Sequence, residues 1–292
     1  KKVKMKVGII GLGLMGGSFS YDMRELYPDA EIFGLDLENH NFKIALKTSI
    51  IDSKLDIKNI YDFNIILVAI PVDKSIDVLK TVLDNVSEKT LVIDVGSTKE
   101  KICRELKNHP NRKNFLATHP ISGTENSGPY AAKKHIYFNI TNIICEPELT
   151  SPDLLKYASS LFDRFNMNII NMDPASHDQH ISYVSHLSHI TSFILAKTVI
   201  QKEKNEKNIF DLAGSGFEST VRLAKSSSEM WTPIFLHNKD NILEALNGYI
   251  NNLQELKKLI IKNDKKSIIN DLNNINRVKK ILSGINNKKN EK

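Results

Sequence analysis

The 292-residue sequence has only two cysteines, Cys103 and Cys145. They are too far apart for a C-x-x-C motif and too few for a disulfide framework, so we expect reduced thiols and a cytoplasmic protein. Long apolar runs are also missing. The run Ile65 to Ile70 is far shorter than the roughly 20 residues that a membrane helix needs. The glycine-rich stretch 7–17 has no small-residue cleavage site after it, which argues against a signal peptide and leaves a strand and a turn as the interpretation.

Acidic residues are slightly fewer than basic ones, with 34 Asp and Glu against 40 Lys and Arg and a net charge of +6. Residues 256–292 alone hold eleven Lys and Arg and three Asp and Glu, so the rest of the chain is slightly acidic. A lysine-rich end more often keeps a helix soluble than binds nucleic acid. We therefore expect no nucleic-acid partner.

Short apolar segments alternate with helical segments over the first 170 residues. Several lack polar alternation, as expected for strands that are buried on both faces of a mostly parallel sheet. We predict strands at 6–10, 31–36, 64–70, 90–95, 115–118 and 142–145. We predict helices between them at 15–26, 74–83 and 98–106. This order is typical of an α/β protein with a Rossmann-type doubly wound sheet.

The pattern changes near residue 172. Asp173-Pro174 is a helix-start signal, and from Ser176 onward the sequence is a succession of helical segments. We therefore predict two domains, an α/β domain at 1–172 and an all-helical domain at 173–292.

The helical half carries apolar residues that recur every three or four positions. One stripe comprises Leu243, Leu246, Ile250, Leu253 and Leu256. A second comprises Ile268, Leu272, Ile275, Val278, Leu282 and Ile285, and it predicts one amphipathic helix. Burying apolar area stabilises a protein by roughly 25 cal/mol per Å². Covering these stripes with a second subunit is therefore favourable. We predict a homodimer built through the helical half.

The segment Gly11-Leu12-Gly13-Leu14-Met15-Gly16 fits G-x-G-x-x-G, follows a predicted strand and opens a predicted helix. In that context the glycines permit a tight turn, close approach of a pyrophosphate and close packing of the helix. Asp36 lies at the end of the second predicted strand, where an acidic residue binds the ribose diol of the dinucleotide. No arginine follows it, so a 2′-phosphate would meet negative charge. The sequence predicts a cofactor site for NAD rather than NADP.

Two further strand ends carry polar residues. Asp94-Val95-Gly96-Ser97-Thr98-Lys99 follows one strand, and His119-Pro120-Ile121-Ser122-Gly123-Thr124-Glu125 follows the next. Both ends should lie at the carboxyl edge of the sheet, where such folds bind ligands. Ser97 suits two roles there, a helix cap and a catalytic hydroxyl.

These two blocks and the glycine loop resemble, in the same order, the motifs of the prephenate dehydrogenase family. The resemblance continues with Ser185-His186-Leu187-Ser188-His189 and with Gly216-Phe217 through Arg222-Leu223-Ala224. It covers about residues 5–260. Five blocks in one order are much more specific than any single one of them.

The resemblance implies an NAD-dependent enzyme that oxidises and decarboxylates prephenate to 4-hydroxyphenylpyruvate on the route to tyrosine. In that case His119 is the catalytic base and Ser97 its catalytic partner. Arg222 would hold a substrate carboxylate, because its guanidinium forms bidentate pairs. The other substrate-binding residues would be His189, Ser185, Thr124 and Glu125. The first domain would then bind the dinucleotide and the second would bind substrate and dimerise.

Several alternatives stay open. His186 and His189 are three residues apart on a predicted helix, a spacing that metal ligands use, but no Cys or Glu completes a zinc set, so we predict no metal. A β-hydroxyacid dehydrogenase shares the glycine loop but would use a lysine of its helical domain. A dinucleotide sensor would need none of the polar residues above. Prephenate and arogenate differ only by a ketone or an amine, which the sequence does not distinguish.

Overall fold

The computed structural model describes residues 4–204, 206 and 208–283. Its strands form one eight-stranded sheet in the order β3-β2-β1-β4-β5-β6-β7-β8. The strands are β1 (Lys6–Ile10), β2 (Glu31–Leu35), β3 (Ser53–Lys54), β4 (Ile65–Val68), β5 (Leu91–Asp94), β6 (Phe115–Pro120), β7 (Thr141–Cys145) and β8 (Asn168–Asn171). The first six follow the strand order of a dinucleotide-binding fold, so the predicted Rossmann-type sheet is confirmed.

The sheet is parallel apart from one pair. Strands β6 and β7 run antiparallel, and β8 then pairs parallel to β7. Every residue of β4 and β5 is buried. Burial on both faces explains why these segments show no polar alternation in the sequence.

α-Helices lie in the connections between strands and over most of the described chain after residue 173. They are α1 (Leu14–Leu26), α2 (Asn39–Lys47), α3 (Val72–Asn85), α4 (Glu100–Leu106), α5 (Pro152–Arg164), α6 (Pro174–Ile181), α7 (Leu187–Glu203), α8 (Ser215–Val221), α9 (Ser228–His237), α10 (Lys239–Ile261) and α11 (Lys265–Ile275). A single π-helical segment, Ser182–His186, joins α6 to α7. The predicted helical character beyond residue 173 is confirmed.

The two faces of the sheet carry separate apolar cores. On one face Phe19 and Met23 of α1 pack with residues of α5, among them Leu161. On the other face Leu79 of α3 and Ile102 of α4 pack against the sheet. Helices on both sides of the sheet hold the carboxyl ends of the strands at one edge.

The observed boundaries differ from the predicted ones by a few residues. Helix α4 begins at Glu100 instead of Thr98, because the carboxylate of Asp178 accepts hydrogen bonds from the first backbone N–H groups of the helix. Strand β3 has only two residues and leaves no periodic signal in the sequence. By internal contacts the chain separates into compact units at 1–239 and 240–292. The domain boundary at residue 172 therefore stays a prediction.

The smaller unit exposes apolar side chains along α10. Leu243, Ile250 and Leu253 of the first stripe are 44%, 40% and 49% exposed. Exposure of this size marks a surface that suits a partner. Across the described residues, no helix combines the length and the apolar content needed to cross a membrane.

The second apolar stripe is interrupted. Helix α11 ends at Ile275, and a turn at Asn276 and Arg277 precedes further helical residues. The prediction of one continuous amphipathic helix from 268 to 285 is therefore wrong, because a run of asparagines with low helix propensity separates its halves. Ile285 lies outside the described residues.

A buried ion pair joins the end of β5 to the start of α4. The Lys99 ammonium contacts the Asp94 carboxylate, and both side chains are almost completely buried. The carboxylate also accepts hydrogen bonds from the backbone N–H groups of Gly96, at 3.0 Å, and Thr118, at 3.3 Å. Burial raises the pKa of Asp94, and Lys99 opposes that shift. The pair therefore fixes the loop between β5 and α4.

We expect Lys99→Met to lower the free energy of unfolding by about 3 to 5 kcal/mol, because it leaves a buried carboxylate without its cation. The double variant Asp94→Asn with Lys99→Met removes both charges and should recover a large part of the loss. Urea denaturation of the three proteins at pH 7 measures this. Equal stability of Lys99→Met and the unchanged protein would show that the pair does not hold the loop.

Candidate active site

The carboxyl ends of β1, β2, β4, β5 and β6 lie along one edge of the sheet. The strand order reverses at β1, which has β2 on one side and β4 on the other. Ligands of doubly wound sheets bind in the crevice beside such a reversal. The same edge carries the glycine loop after β1, Ser97 after β5 and His119 near the end of β6.

The loop from Gly11 to Gly16 is built from contacts that only glycine allows. Gly11 has a φ of 93°, and a Cβ there would lie 2.2 Å from the carbonyl oxygen of Ala69. A Cβ on Gly16 would lie 1.9 Å from the carbonyl oxygen of Gly11. These two glycines therefore set the turn and the close packing of α1, as the motif predicts.

Gly13 differs from its neighbours in the loop because the space beside it is open. The nearest atom to an added Cβ, the backbone nitrogen of Gly128, is 4.0 Å away. Gly13 is the N-cap of α1, and no side chain caps the helix. The first N–H groups of α1, at Leu14 and Met15, thus form a helix N-terminus of the kind that binds phosphate. The loop fits a dinucleotide.

Asp36 lies directly beside this loop. One carboxylate oxygen accepts a hydrogen bond from the backbone N–H of Leu12 at 2.9 Å. The other accepts from the N–H of Glu38 at 2.9 Å and from the side-chain amide of Asn41 at 3.3 Å. The contact with Leu12, which sequence reasoning did not anticipate, fixes the carboxylate beside the glycine loop.

His119 is 9% exposed near the carboxyl end of β6. Its ring Nδ1 lies 2.8 Å from Nε2 of His177. Burial lowers the pKa of His119 well below its ordinary value, and the nearby His177 and Lys99 lower it further. The imidazole is therefore neutral near pH 7, which is the state that accepts a proton.

Ser97 lies in the loop between β5 and α4 and is partly exposed. It does not cap the following helix, because the N-cap is Lys99 and the capping carboxylate belongs to Asp178. The interpretation of Ser97 as a helix cap is therefore wrong. Its hydroxyl forms no hydrogen bond with the described residues, which leaves it available to a ligand.

The helical side of the site is formed where α6 turns into α7. The π-helical segment between them contains Ser185 and His186, and His189 follows one turn later. Nδ1 of His189 lies 3.0 Å from the carbonyl oxygen of Ser185, so this nitrogen donates and Nε2 is left as an acceptor. Single π-helical turns of this kind are frequent at functional sites.

Trp231 of α9 packs against both histidines of this segment. The ring of His189 is stacked on the indole with centroids 3.5 Å apart, and His186 meets it edge-on at 5.9 Å. Burial lowers the pKa of His189, and the positive charge of Arg222 adds to the shift. His186 is fully buried and points Nδ1 toward Asn238, at 3.2 Å. The two histidines thus have different partners, which does not suit a shared metal.

Arg222 and Glu125 form an ion pair, with Nη1 donating to Oε2 at 2.9 Å. The side chains are 52% and 25% exposed. A hydrogen bond from its own backbone N–H and the pair with Arg222 lower the pKa of Glu125. Thr124, next in the chain, accepts a hydrogen bond from the N–H of Asn126 at 3.3 Å. The contact between Arg222 and Glu125 is therefore partly solvated rather than buried.

The structure thus brings only some of the predicted site residues into direct contact. Arg222 contacts Glu125, and His189 contacts the backbone of Ser185. In the described part of the chain, no hydrogen bond joins Ser97 to His119. Sequence reasoning missed His177 and Asp178, which adjoin His119. The available signal was that His177 and Asp178 are adjacent polar residues just after a helix start. Such residues are more often exposed than buried, so the signal was weak.

A doubly wound sheet with a glycine loop at its reversal point and a neutral histidine at its carboxyl edge defines a dinucleotide-dependent oxidoreductase. Two family models match the chain. Residues 19–171 match the nucleotide-binding domain of prephenate dehydrogenase, and residues 173–274 match its dimerization domain. The chain belongs to the prephenate dehydrogenase family, which confirms the resemblance.

Individual relatives agree with this assignment. Prephenate dehydrogenase of Lactococcus lactis subsp. cremoris is 32% identical over 268 residues, which are 90% of this chain and 73% of the relative. The structure of Aquifex aeolicus prephenate dehydrogenase in complex with hydroxyphenyl propionate and NAD+ is 31% identical, with a TM-score of 0.85 and coverage of 96% and 99%. Synechocystis arogenate dehydrogenase is 26% identical, with a TM-score of 0.74 and coverage of 95% and 100%.

We expect Gly13→Ala to fold normally and to lose dinucleotide affinity, because its methyl group meets open space in the free protein but occupies the path of the phosphates. Gly16→Ala is the matched comparison and should be destabilised, since its Cβ clashes with backbone. Thermal unfolding and calorimetric titration with NAD separate the two effects. Unchanged NAD affinity in Gly13→Ala would exclude this loop as the phosphate site.

Proposed function

We propose that this protein catalyses the NAD-dependent oxidative decarboxylation of prephenate to 4-hydroxyphenylpyruvate, a step of tyrosine biosynthesis. The observation that carries the proposal is His119, a buried neutral imidazole at the carboxyl edge of the sheet in a chain that matches the family across both of its domains. Arogenate is the second candidate substrate, because the Synechocystis neighbour is an arogenate dehydrogenase.

NAD fits the dinucleotide site better than NADP. The α1 N-terminus and the open space at Gly13 accommodate the pyrophosphate, and Asp36 accepts hydrogen bonds from the ribose diol. The same carboxylate repels a 2′-phosphate. NAD held there would supply the acceptor for the hydride from C4 of the substrate, and loss of carbon dioxide would then make the ring aromatic.

In this proposal His119 accepts the proton of the C4 hydroxyl as the hydride leaves. A neutral imidazole near the ligand edge has the basicity and the position for that transfer. Ser97, on the neighbouring strand end, orients the hydroxyl through its own hydroxyl group. The two residues thus act on one substrate atom from adjacent strands, β5 and β6.

The substrate carboxylates need cationic or donor groups, and Arg222 is the first of these. Its partner in the structure is Glu125, in a half-solvated pair that a substrate carboxylate displaces at small cost. His189 contacts the substrate from the helical side, with its ring orientation fixed by Trp231 and by Ser185. Thr124 and Glu125 line the entrance.

Two further properties belong to this proposal. The protein works as a homodimer, which the description of the family's second domain as a dimerization domain and the exposed stripe on α10 support. It is cytoplasmic, in keeping with the free, buried thiols of Cys103 and Cys145.

The direct test is turnover of prephenate and of arogenate, each with NAD and NADP, followed by the absorbance of the reduced cofactor. We expect prephenate with NAD to be the best pair. His119→Asn should keep NAD affinity and lower kcat by roughly 10² to 10⁴, the usual contribution of a positioned general base.

The control for that variant is His135→Asn. His135 is a surface histidine with a φ of 66°, a conformation that asparagine tolerates, and it should keep full activity. Near-normal turnover in His119→Asn would remove this residue from the chemistry. Failure of the unchanged protein with both substrates would reject the proposed function.

Sedimentation equilibrium at low micromolar concentration should give twice the single-chain mass of 33.0 kDa. Leu253→Asp places a charge on the exposed apolar stripe and should yield monomer or aggregate, because desolvating that charge costs more than the interface gains. Asn251→Asp adds the same charge on another face of α10 and should stay dimeric. An active protein at the single-chain mass would contradict the proposed dimer.

A further inference from the structure

His119, His177 and Asp178 form a chain of hydrogen bonds in the interior of the larger unit. Nδ1 of His119 lies 2.8 Å from Nε2 of His177, and Nδ1 of His177 lies 2.7 Å from Oδ1 of Asp178. The three residues are 9%, 1% and 2% exposed. Water therefore competes little for these contacts, and Nδ1 of His119 and both ring nitrogens of His177 have one defined partner each.

The direction of the chain is set at its Asp178 end. The Asp178 carboxylate accepts from the backbone N–H of Lys99 at 2.7 Å and from that of Glu100 at 3.0 Å. Backbone N–H groups can only donate, so both carboxylate oxygens act as acceptors. The hydrogen between Asp178 and His177 is thus carried by Nδ1 of His177.

The remaining protons follow from the chemistry of imidazole. A neutral ring has one N–H and one acceptor nitrogen, so His177 with its hydrogen on Nδ1 accepts at Nε2. Its partner His119 must then donate from Nδ1. Nε2 of His119 consequently keeps its lone pair, and no described residue donates a hydrogen bond to it.

We propose that His177 and Asp178 are positioning residues that hold His119 in the tautomer protonated at Nδ1, so that Nε2 faces the reaction as an acceptor. This inference rests on the proposed function for the identity of the proton that Nε2 accepts. The opposite tautomer would present an N–H to the substrate hydroxyl and could not act as a base. Asp178 also stabilises the imidazolium that forms on His119 during the reaction.

Charged and titratable groups around the chain make that stabilisation necessary. Lys99, His177 and His186 all disfavour positive charge on His119, as does burial. Lys99 is itself paired with Asp94. Asp178 is linked to His119 through His177, so its negative charge stabilises the His119 ring when that ring becomes cationic.

Asp178→Asn tests the inference at the acceptor end of the chain. The amide can turn its NH₂ group toward His177, which reverses both imidazoles. We expect kcat to fall by about 10² to 10⁴, as when the orienting carboxylate of a catalytic triad is replaced. The KM for substrate and the affinity for NAD should change less than about threefold, since neither ligand contacts Asp178 in the proposed mode. Raising the pH should not restore kcat, because the fault is the tautomer.

The matched control is Asp173→Asn. Asp173 caps the same helix, α6, by accepting from the N–H of Ser176 at 3.0 Å, and it lies outside the chain of hydrogen bonds. It should keep kcat within about twofold.

A second pair of variants, His177→Gln and His177→Phe, covers the case in which Asp178→Asn fails to fold. Glutamine can accept from His119 and donate to Asp178, so we expect it to retain at least tenfold more kcat than phenylalanine.

Nitrogen NMR of the protein labelled with ¹⁵N in its histidine rings reads the tautomer directly. The signals of His119 are identified by their loss in His119→Asn. We expect a protonated Nδ1 and an unprotonated Nε2, reversed in Asp178→Asn. A protonated Nε2 in the unchanged protein, or kcat of Asp178→Asn within threefold of normal, would overturn the inference. The NMR result is independent of turnover, so absence of prephenate activity would reject only the proposed function.

Discussion

The carboxylate of Asp178 is the contact on which the rest of the site depends. Its side chain caps α4 and bonds to His177, while its backbone carbonyl accepts from the side-chain amide of Asn238 at 2.6 Å. One residue of α6 thereby connects the loop after β5, His119 on β6 and the end of α9. Apolar packing alone is not directional, so this polar contact helps to fix how these elements meet. The geometry of the base therefore depends on the helical region as much as on the sheet.

Electrostatics at the end of β5 follow from the same arrangement. Lys99 is completely buried, so its charge must be balanced locally, and Asp94 does this. Burial lowers the pKa of His119, and the nearby His177 and Lys99 lower it further, which keeps the imidazole neutral. A neutral base is useful only if its free nitrogen faces the ligand. The low pKa of His119 keeps its imidazole neutral, and the hydrogen-bond chain fixes which of its nitrogens is free. Both features leave the ring able to accept a proton.

Sequence patterns predicted the sheet, the glycine loop and His119 because these depend on local signals. Buried parallel strands leave apolar runs. Gly11 is required by its own positive φ, and Gly16 by a contact with the backbone of Gly11 in the same loop. The partnership of His119 with His177 joins residues 58 positions apart, and no periodicity encodes it. The cap of α4 by Asp178 is equally non-local, which is why Ser97 looked like a suitable cap. The end of α11 at Ile275 was missed because the apolar stripe predicts a continuous helix, whereas the nearby asparagines disfavour helix only weakly.

Burial divides the site into two kinds of contact. His119, His177 and Asp178 are shielded from solvent, where a hydrogen bond is electrostatically stronger and a misplaced proton is costly. Arg222 and Glu125 are partly solvated, where an ion pair is weak and exchanges partners readily. A base needs one fixed orientation for every turnover, whereas a carboxylate grip must open and close with each substrate molecule. His119 lies on a strand inside the core and Arg222 on a short helical segment at the surface, which suits the role proposed for each.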